Sequence, residues 1–303
     1  MVKQIYNPTS EGILQNQVSK MFSMLSSFVL ALAALAPTTA HAHCDRSFLE
    51  SITANYVAAQ TAGRVNSLNI SSSAVYTENF QPTDITTGIL SQPLKIDSVK
   101  SIHDTVSCAA FTELIVTDPT HPYVIGTQIR LGSSHDKGRT PSKDLEIVKV
   151  ETIVTDEGDW LFNATGTLYW ASQESWDPIP LEKQDTRETL QAAADAYLDK
   201  FKDNSVQVPF NIPCARLEGG LYTGQGLPTD SCDLGFPTGI DMLNRRYVID
   251  PLYGAIEVMF NFGGPTSSPD SHLFRLENGK IRYAHTMTVL KCPGMLPEDP
   301  CNA

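Results

Sequence analysis

The chain has 303 residues, 41% apolar and 18% charged, and 34 acidic groups against 22 basic ones give a formal charge of −12. That is ample material for a packed core, and no stretch has the composition of a disordered tail. It is also too little Lys and Arg for a phosphate-binding footprint, which excludes nucleic acid as a partner.

From Met21 the chain reads MFSMLSSFVLALAALAPTTAHA. The apolar stretch from about Phe28 to Leu35 is too short for a bilayer, and Ala40-His41-Ala42 follows as an A-x-A cleavage pattern. Residues 1–42 therefore read as an upstream extension and a signal peptide. The expected location is secreted or secretory-pathway, with no membrane attachment after cleavage. All six cysteines come later, at Cys44, Cys108, Cys214, Cys232, Cys292 and Cys301. An even count in a secreted chain reads as three disulfides. One bridge per region gives Cys44–Cys108, Cys214–Cys232 and Cys292–Cys301, out of fifteen possible pairings. The sequons at Asn69 and Asn163 mark candidate glycan acceptors.

Two amphipathic helices open two similar segments. The first carries Phe48, Ile52, Tyr56 and Ala59 on one stripe. The second starts with the capping pattern Asp185-Thr186-Arg187-Glu188 and continues with Leu190, Ala194, Tyr197, Leu198 and Phe201. Leu68-Asn69-Ile70 then matches Phe210-Asn211-Ile212, residues 113–119 match 245–251, and 123–131 match 253–262. Each copy closes with a hairpin, 151–162 against 272–283, the second around the turn signal Asn278-Gly279. The expected domains are 43–170 and 185–291, joined by a linker at 171–184 that holds Pro178 and Pro180, with a tail at 292–303. The expected class is α+β, as two tandem cone-shaped domains, each a helix on a curved antiparallel sheet.

A two-residue turn at Asn278-Gly279 sets Leu276 opposite Ile281, Phe274 opposite Tyr283 and His272 opposite His285. All six then share one face with Asp270 and Met287, leaving Arg275, Glu277, Lys280, Arg282, Thr286 and Thr288 on a solvated face. Two imidazoles and a carboxylate on an apolar face suit acid–base work. His272, His285, Tyr283 and Asp270 are the candidate catalytic residues, and Phe274 and Met287 the candidate substrate contacts. The same alignment sets Glu151 against His272 and Ala164 against His285, so the histidines belong to the second copy alone. Arg216 and Glu218 read as a structural ion pair, and Tyr222, Tyr253 and Trp160 as core. The chain has no G-x-S-x-G, H-E-x-x-H, P-loop, C-x-x-C or dinucleotide fingerprint, so no metal and no cofactor is expected.

The runs 214–220 (CARLEGG), 244–250 (NRRYVID) and 271–275 (SHLFR) sit within this repeated pattern. With its helix-led segments and long curved antiparallel strands the sequence resembles the ketosteroid-isomerase-like superfamily, which includes the SnoaL-like polyketide cyclases. In the three runs, more narrowly, the chain is similar to tandem secreted fungal proteins of undefined function. The resemblance implies a pocket between helix and sheet for a small, mostly apolar molecule, in a monomer or homodimer. It also implies a cofactor-independent cyclase, isomerase or dehydratase (a pericyclase included) of natural-product biosynthesis, acting on a polyketide- or terpenoid-like substrate. The alternative is a non-catalytic secreted binding protein. The Asp base and the Tyr and Asp oxyanion donors of ketosteroid isomerase do not map onto this chain residue by residue.

Overall fold

A computed structural model describes residues 44–132, 145–264 and 268–291. The signal-peptide reading and the Cys292–Cys301 bridge lie outside them. In the first half, helix α1 (Arg46–Ala62) is followed by β1 (Ile70–Glu78), β2 (Gln81–Pro82), β3 (Ser98–Asp104), β4 (Ala109–Val116), β5 (Tyr123–Gly132) and β6 (Glu146–Thr155). A short helix α2 (Ala164–Ala171) leads toward the second half. There α3 (Arg187–Asp199) is followed by β7 (Phe210–Glu218), β8 (Leu221–Tyr222), β9 (Met242–Asp250), β10 (Ala255–Phe262), β11 (Ser268–Glu277) and β12 (Lys280–Thr288).

The two six-stranded sheets have the same order, β2-β1-β6-β5-β4-β3 and β8-β7-β12-β11-β10-β9. In each, one parallel pair (β1 with β6, β7 with β12) interrupts an otherwise antiparallel ladder. The fold is α+β, and the duplication is real. Its register, however, is one strand away from the sequence alignment. β4 corresponds to β10, β5 to β11 and β6 to β12, whereas the sequence reading matched β4 to β9 and β5 to β10. The slip has a physical reason: every central strand is an apolar run of similar length, so displacement by one strand preserves the pattern. The expected first-half hairpin at 151–162 is therefore absent; residues 156–163 turn away and cap α2, with the Asn163 side chain accepting from Gly166 N.

Each helix begins at a capping side chain, Asp45 for α1 and Thr186 for α3. α1 buries Leu49, Ile52 and Tyr56 against Leu114, Ile125, Ile129 and Val150 of the first sheet. α3 buries Leu190, Ala194 and Tyr197 against Ile256, Phe260, Phe274 and Ala284 of the second. The other faces of the sheets pack on each other through Phe111, Ile115, Val124 and Ile153 against Val248, Met259, Leu273 and Met287. The layers therefore run helix, sheet, sheet, helix.

The seam is tied by reciprocal ion pairs. Arg46, the first residue of α1, grips Asp250 of the second sheet, while Arg187, the first residue of α3, forks both oxygens of Asp104 of the first at 2.8 Å. Each aspartate also accepts one backbone N–H from the opposite half: His103 N to Asp250 at 2.9 Å and Ile249 N to Asp104 at 3.1 Å. The linker is more than a spacer, because Glu174 and Trp176 insert into this seam. Disulfides Cys44–Cys108 and Cys214–Cys232 are formed. They fit an oxidising compartment. Among the described residues no helix is long and apolar enough to cross a membrane.

Candidate functional site

The hairpin of β11 and β12 decides where the candidate residues go. Near its turn the register is as expected, with Glu277 opposite Lys280 and Leu276 opposite Ile281. Arg282 is then an extra residue on β12, and beyond it Arg275 faces Tyr283, Leu273 faces His285 and His272 faces Thr286. A β-bulge of this kind flips the facing of every later side chain on its strand. His272 and His285 are therefore on opposite faces of the sheet, and the expected histidine pair does not form. The first sheet has the same bulge at Val148, between Ile147 and Lys149, which makes it part of the architecture.

His285 points into the seam. Its Nδ1 donates to Glu113 Oε2 at 3.0 Å and its Nε2 to Glu174 Oε2 at 2.6 Å. Trp176 Nε1 donates to the same Glu174 oxygen at 2.9 Å, and Lys100 Nζ sits 3.8 Å over the Trp176 ring. Burial alone would depress the imidazole pKa, but the flanking carboxylates Glu174 and Glu113 outweigh it and hold His285 up at about 9. Met287 joins the same seam, and Tyr283 stacks on Trp176 there. His285, Tyr283 and Met287 are thus removed from the cavity side, and Phe274 is packed under α3 against Tyr197.

His272 and Asp270 face the other way, toward α3. His272 lines a partly open cavity of about 220 Å³, whose walls include Trp160, Phe201, Phe262 and Pro237 and whose polar side carries Arg216, Glu218, Thr286 and Thr288, with Asp270 behind it. Asp270 is fully buried and accepts twice: Thr288 Oγ1 donates to Oδ2 at 2.5 Å and His272 Nδ1 lies 2.7 Å from Oδ1. A carboxylate has no proton to give, so Nδ1 carries the hydrogen and Nε2 is left as the basic nitrogen beside the cavity. Arg216 pairs with Glu218, donates to the Leu234 carbonyl and stacks 4.7 Å from the Phe236 ring. The expected ion pair exists, and it belongs to the cavity wall.

The first half shows the same face with a different hydrogen-bond network. The shared ladder makes Thr127 the counterpart of His272 and Glu151 the counterpart of His285. Tyr56 of α1 is the counterpart of Tyr197 of α3. In the first half Tyr56 bonds Thr127 at 2.7 Å, Thr127 bonds Thr152, and Ile89 and Leu90 belong to the same buried cluster as Tyr56. In the second half the fully buried Tyr197 hydroxyl has no hydrogen-bond partner among the described residues, and its ring lies 5.4 Å from that of His272. Burial pushes this phenol above its ordinary pKa, so it remains a proton donor.

A family model described as "Domain of unknown function (DUF8021)" matches residues 183–288, which hold the second sheet and every wall residue of the cavity except Trp160. No curated protein matches the chain. Among solved structures, an NTF-2-like protein of unknown function from Burkholderia xenovorans LB400 is similar at 10% identity with a TM-score of 0.25. The match covers 35% of this chain and 89% of that one.

Sequence reasoning missed Trp160, Thr286 and Thr288 as lining residues, and it read Tyr197, packed 5.4 Å from His272, only as part of a helix stripe. The two threonines alternate with His285 and Met287 on β12, and one bulge exchanges the pairs. Trp160 comes from beyond β6 and reaches the cavity because its backbone N–H bonds Thr288 O at 3.3 Å. The remaining wall, Gly235 and Pro237, lies on the 223–241 segment that Cys214–Cys232 anchors to β7. Replacing both of these cysteines by serine is expected to lower stability by about 2–5 kcal/mol. Chemical denaturation with the other bridge intact checks it.

Proposed function

We propose that the second half is a cofactor-independent acid–base site for a small, largely apolar molecule, and that the protein is a secreted enzyme of the cyclase, isomerase or dehydratase type, serving natural-product biosynthesis on a polyketide- or terpenoid-like substrate. The observation that carries this reading is the Asp270–His272 dyad beside an aromatic-walled cavity. Asp270 fixes the imidazole tautomer and Thr288 fixes Asp270, so His272 Nε2 is positioned to take a proton from a bound ligand. The unpaired Tyr197 hydroxyl is the donor for the oxygen on which charge develops. Apolar walls at Phe201 and Phe262 hold the carbon skeleton and exclude water. Asn69 and Asn163 are both exposed, as glycan acceptors in a secreted protein must be.

A proton-transfer site is testable before its substrate is known. A panel of small cyclic carbonyl compounds incubated with the protein in D2O should show catalysed exchange of hydrogen next to the carbonyl, read by NMR. The exchange should disappear in His272→Gln. If compounds that bind the cavity exchange no faster than in buffer, the catalytic reading fails and a non-catalytic binding protein remains.

A further inference from the structure

The cavity volume of about 220 Å³ is half again the ~150 Å³ that holds one benzene ring, so it encloses a single substituted ring and little more. Apolar side chains nevertheless continue outside it. Leu161 directly follows the wall residue Trp160 and is 40% exposed, and Leu234 directly precedes the wall residue Gly235 and is 51% exposed. Leu221, 54% exposed, is three residues past the wall residue Glu218. Leu161 is also held at φ +49°, a left-handed conformation that a leucine adopts only at a cost. Its carbonyl backs onto Gly219, at a spot where a Cβ would sit only 2.5 Å away. The backbone here is fixed by close packing that presents the leucine outward.

We propose, building on the acid–base reading of the cavity, that the ligand is an amphiphile. Its ring and oxygen enter the cavity, and an alkyl or prenyl tail lies across the Leu161 and Leu234 rim. The arrangement gives the exposed leucines next to wall residues a role beside a pocket too small for a long molecule. It also separates two recognition tasks: His272 and Tyr197 read the polar end, and the rim reads the length of the tail.

The test is calorimetric titration with 4-ethyl-, 4-butyl- and 4-hexylphenol, below their aggregation limits. Affinity should rise about two- to fourfold per methylene in the parent protein. A Leu161→Asn, Leu234→Ser double variant should bind 4-ethylphenol as the parent does and lose most of the gain from the longer tails; asparagine keeps the left-handed backbone at 161 without strain. A flat series in the parent overturns the proposal, and so does a slope that persists in the double variant. His272→Gln separates this result from the reading beneath it. Weaker 4-ethylphenol binding there with the slope retained supports both. Unchanged 4-ethylphenol binding there sinks the acid–base reading and, with it, the orientation assigned to the head. If no member of the series binds, cavity and rim are both wrong.

Discussion

Replacing His285 by alanine is expected to cost about 3–5 kcal/mol of stability and to change how stability depends on pH. The side chains of His285, Glu113 and Glu174 are each 3% exposed or less, so the variant would bury two carboxylates without the cation between them. Breaking a buried pair in this way costs far more than losing a surface one. The pH signature follows from direction. His285 titrates at about 9 in the folded protein against an ordinary value near 6.5, so its contribution is fully present below about pH 6.5 and is lost as pH rises through 9. Glu113 and Glu174 are disfavoured by burial, yet His285 and Lys100 bring both below the ordinary carboxylate range. Their contribution is present above about pH 4.5 and is lost as pH falls.

Two neighbours work against this pattern. Lys100 is depressed by burial and recovers stability toward high pH. Glu257, raised by burial to about 8 although Ser271 and Gln128 donate to it, loses stability as pH climbs toward 8. Both are present in parent and variant, so the difference between the two proteins reports His285 together with the groups it is coupled to, Glu113, Glu174 and Lys100. Urea denaturation at intervals from pH 4 to 10 should show the largest gap near neutrality and a narrowing above pH 8. A gap that does not change with pH would mean that His285 is neutral in the seam.

The parts that sequence could show were those set by local rules. The capping pattern at Thr186 starts the second helix, apolar stripes such as Leu190-Ala194-Tyr197 pick the buried faces, and Asn278-Gly279 makes the turn. Two of the disulfides follow from one bridge per region. The site was less legible because a single residue, Arg282, decides which of two histidines faces the cavity. Nothing in its type marks a bulge. Bulges are specified by the curvature of the whole sheet, which is why one recurs at Val148 in a different local sequence. The seam was hidden for a related reason. Glu113 and His285 are 172 positions apart, and a strand carrying a charged residue reads as half-exposed until another sheet covers it. Asp104 and Asp250 end equivalent strands with the same task, but their partners lie at the starts of helices in the opposite halves.

Because the halves share one ladder, the first supplies an internal control for the site in the second. Tyr56→Phe should cost about 0.5–1.5 kcal/mol, the net worth of its hydrogen bond to Thr127, and should leave ligand handling unchanged. Tyr197→Phe removes a hydroxyl that has no partner, so stability should stay level or rise, since an unpaired buried donor is itself a cost. Turnover should nevertheless fall under the proposed role of this hydroxyl as the donor to the ligand oxygen. His272→Gln keeps much of the side-chain volume and removes the base, so the rate should drop about 10²–10⁴-fold. Asp270→Asn should approach the same loss by a different route: an amide can donate toward Nδ1 and stabilise the wrong tautomer, turning Nε2 from acceptor to donor. Thr288→Val, which frees one oxygen of Asp270, should cost less than either and should shift the pH–rate profile. Had Tyr197 only filled space, Tyr197→Phe would leave stability level or raise it in the same way and change no rate. Rate loss confined to the second half is what a functional cavity at His272 requires.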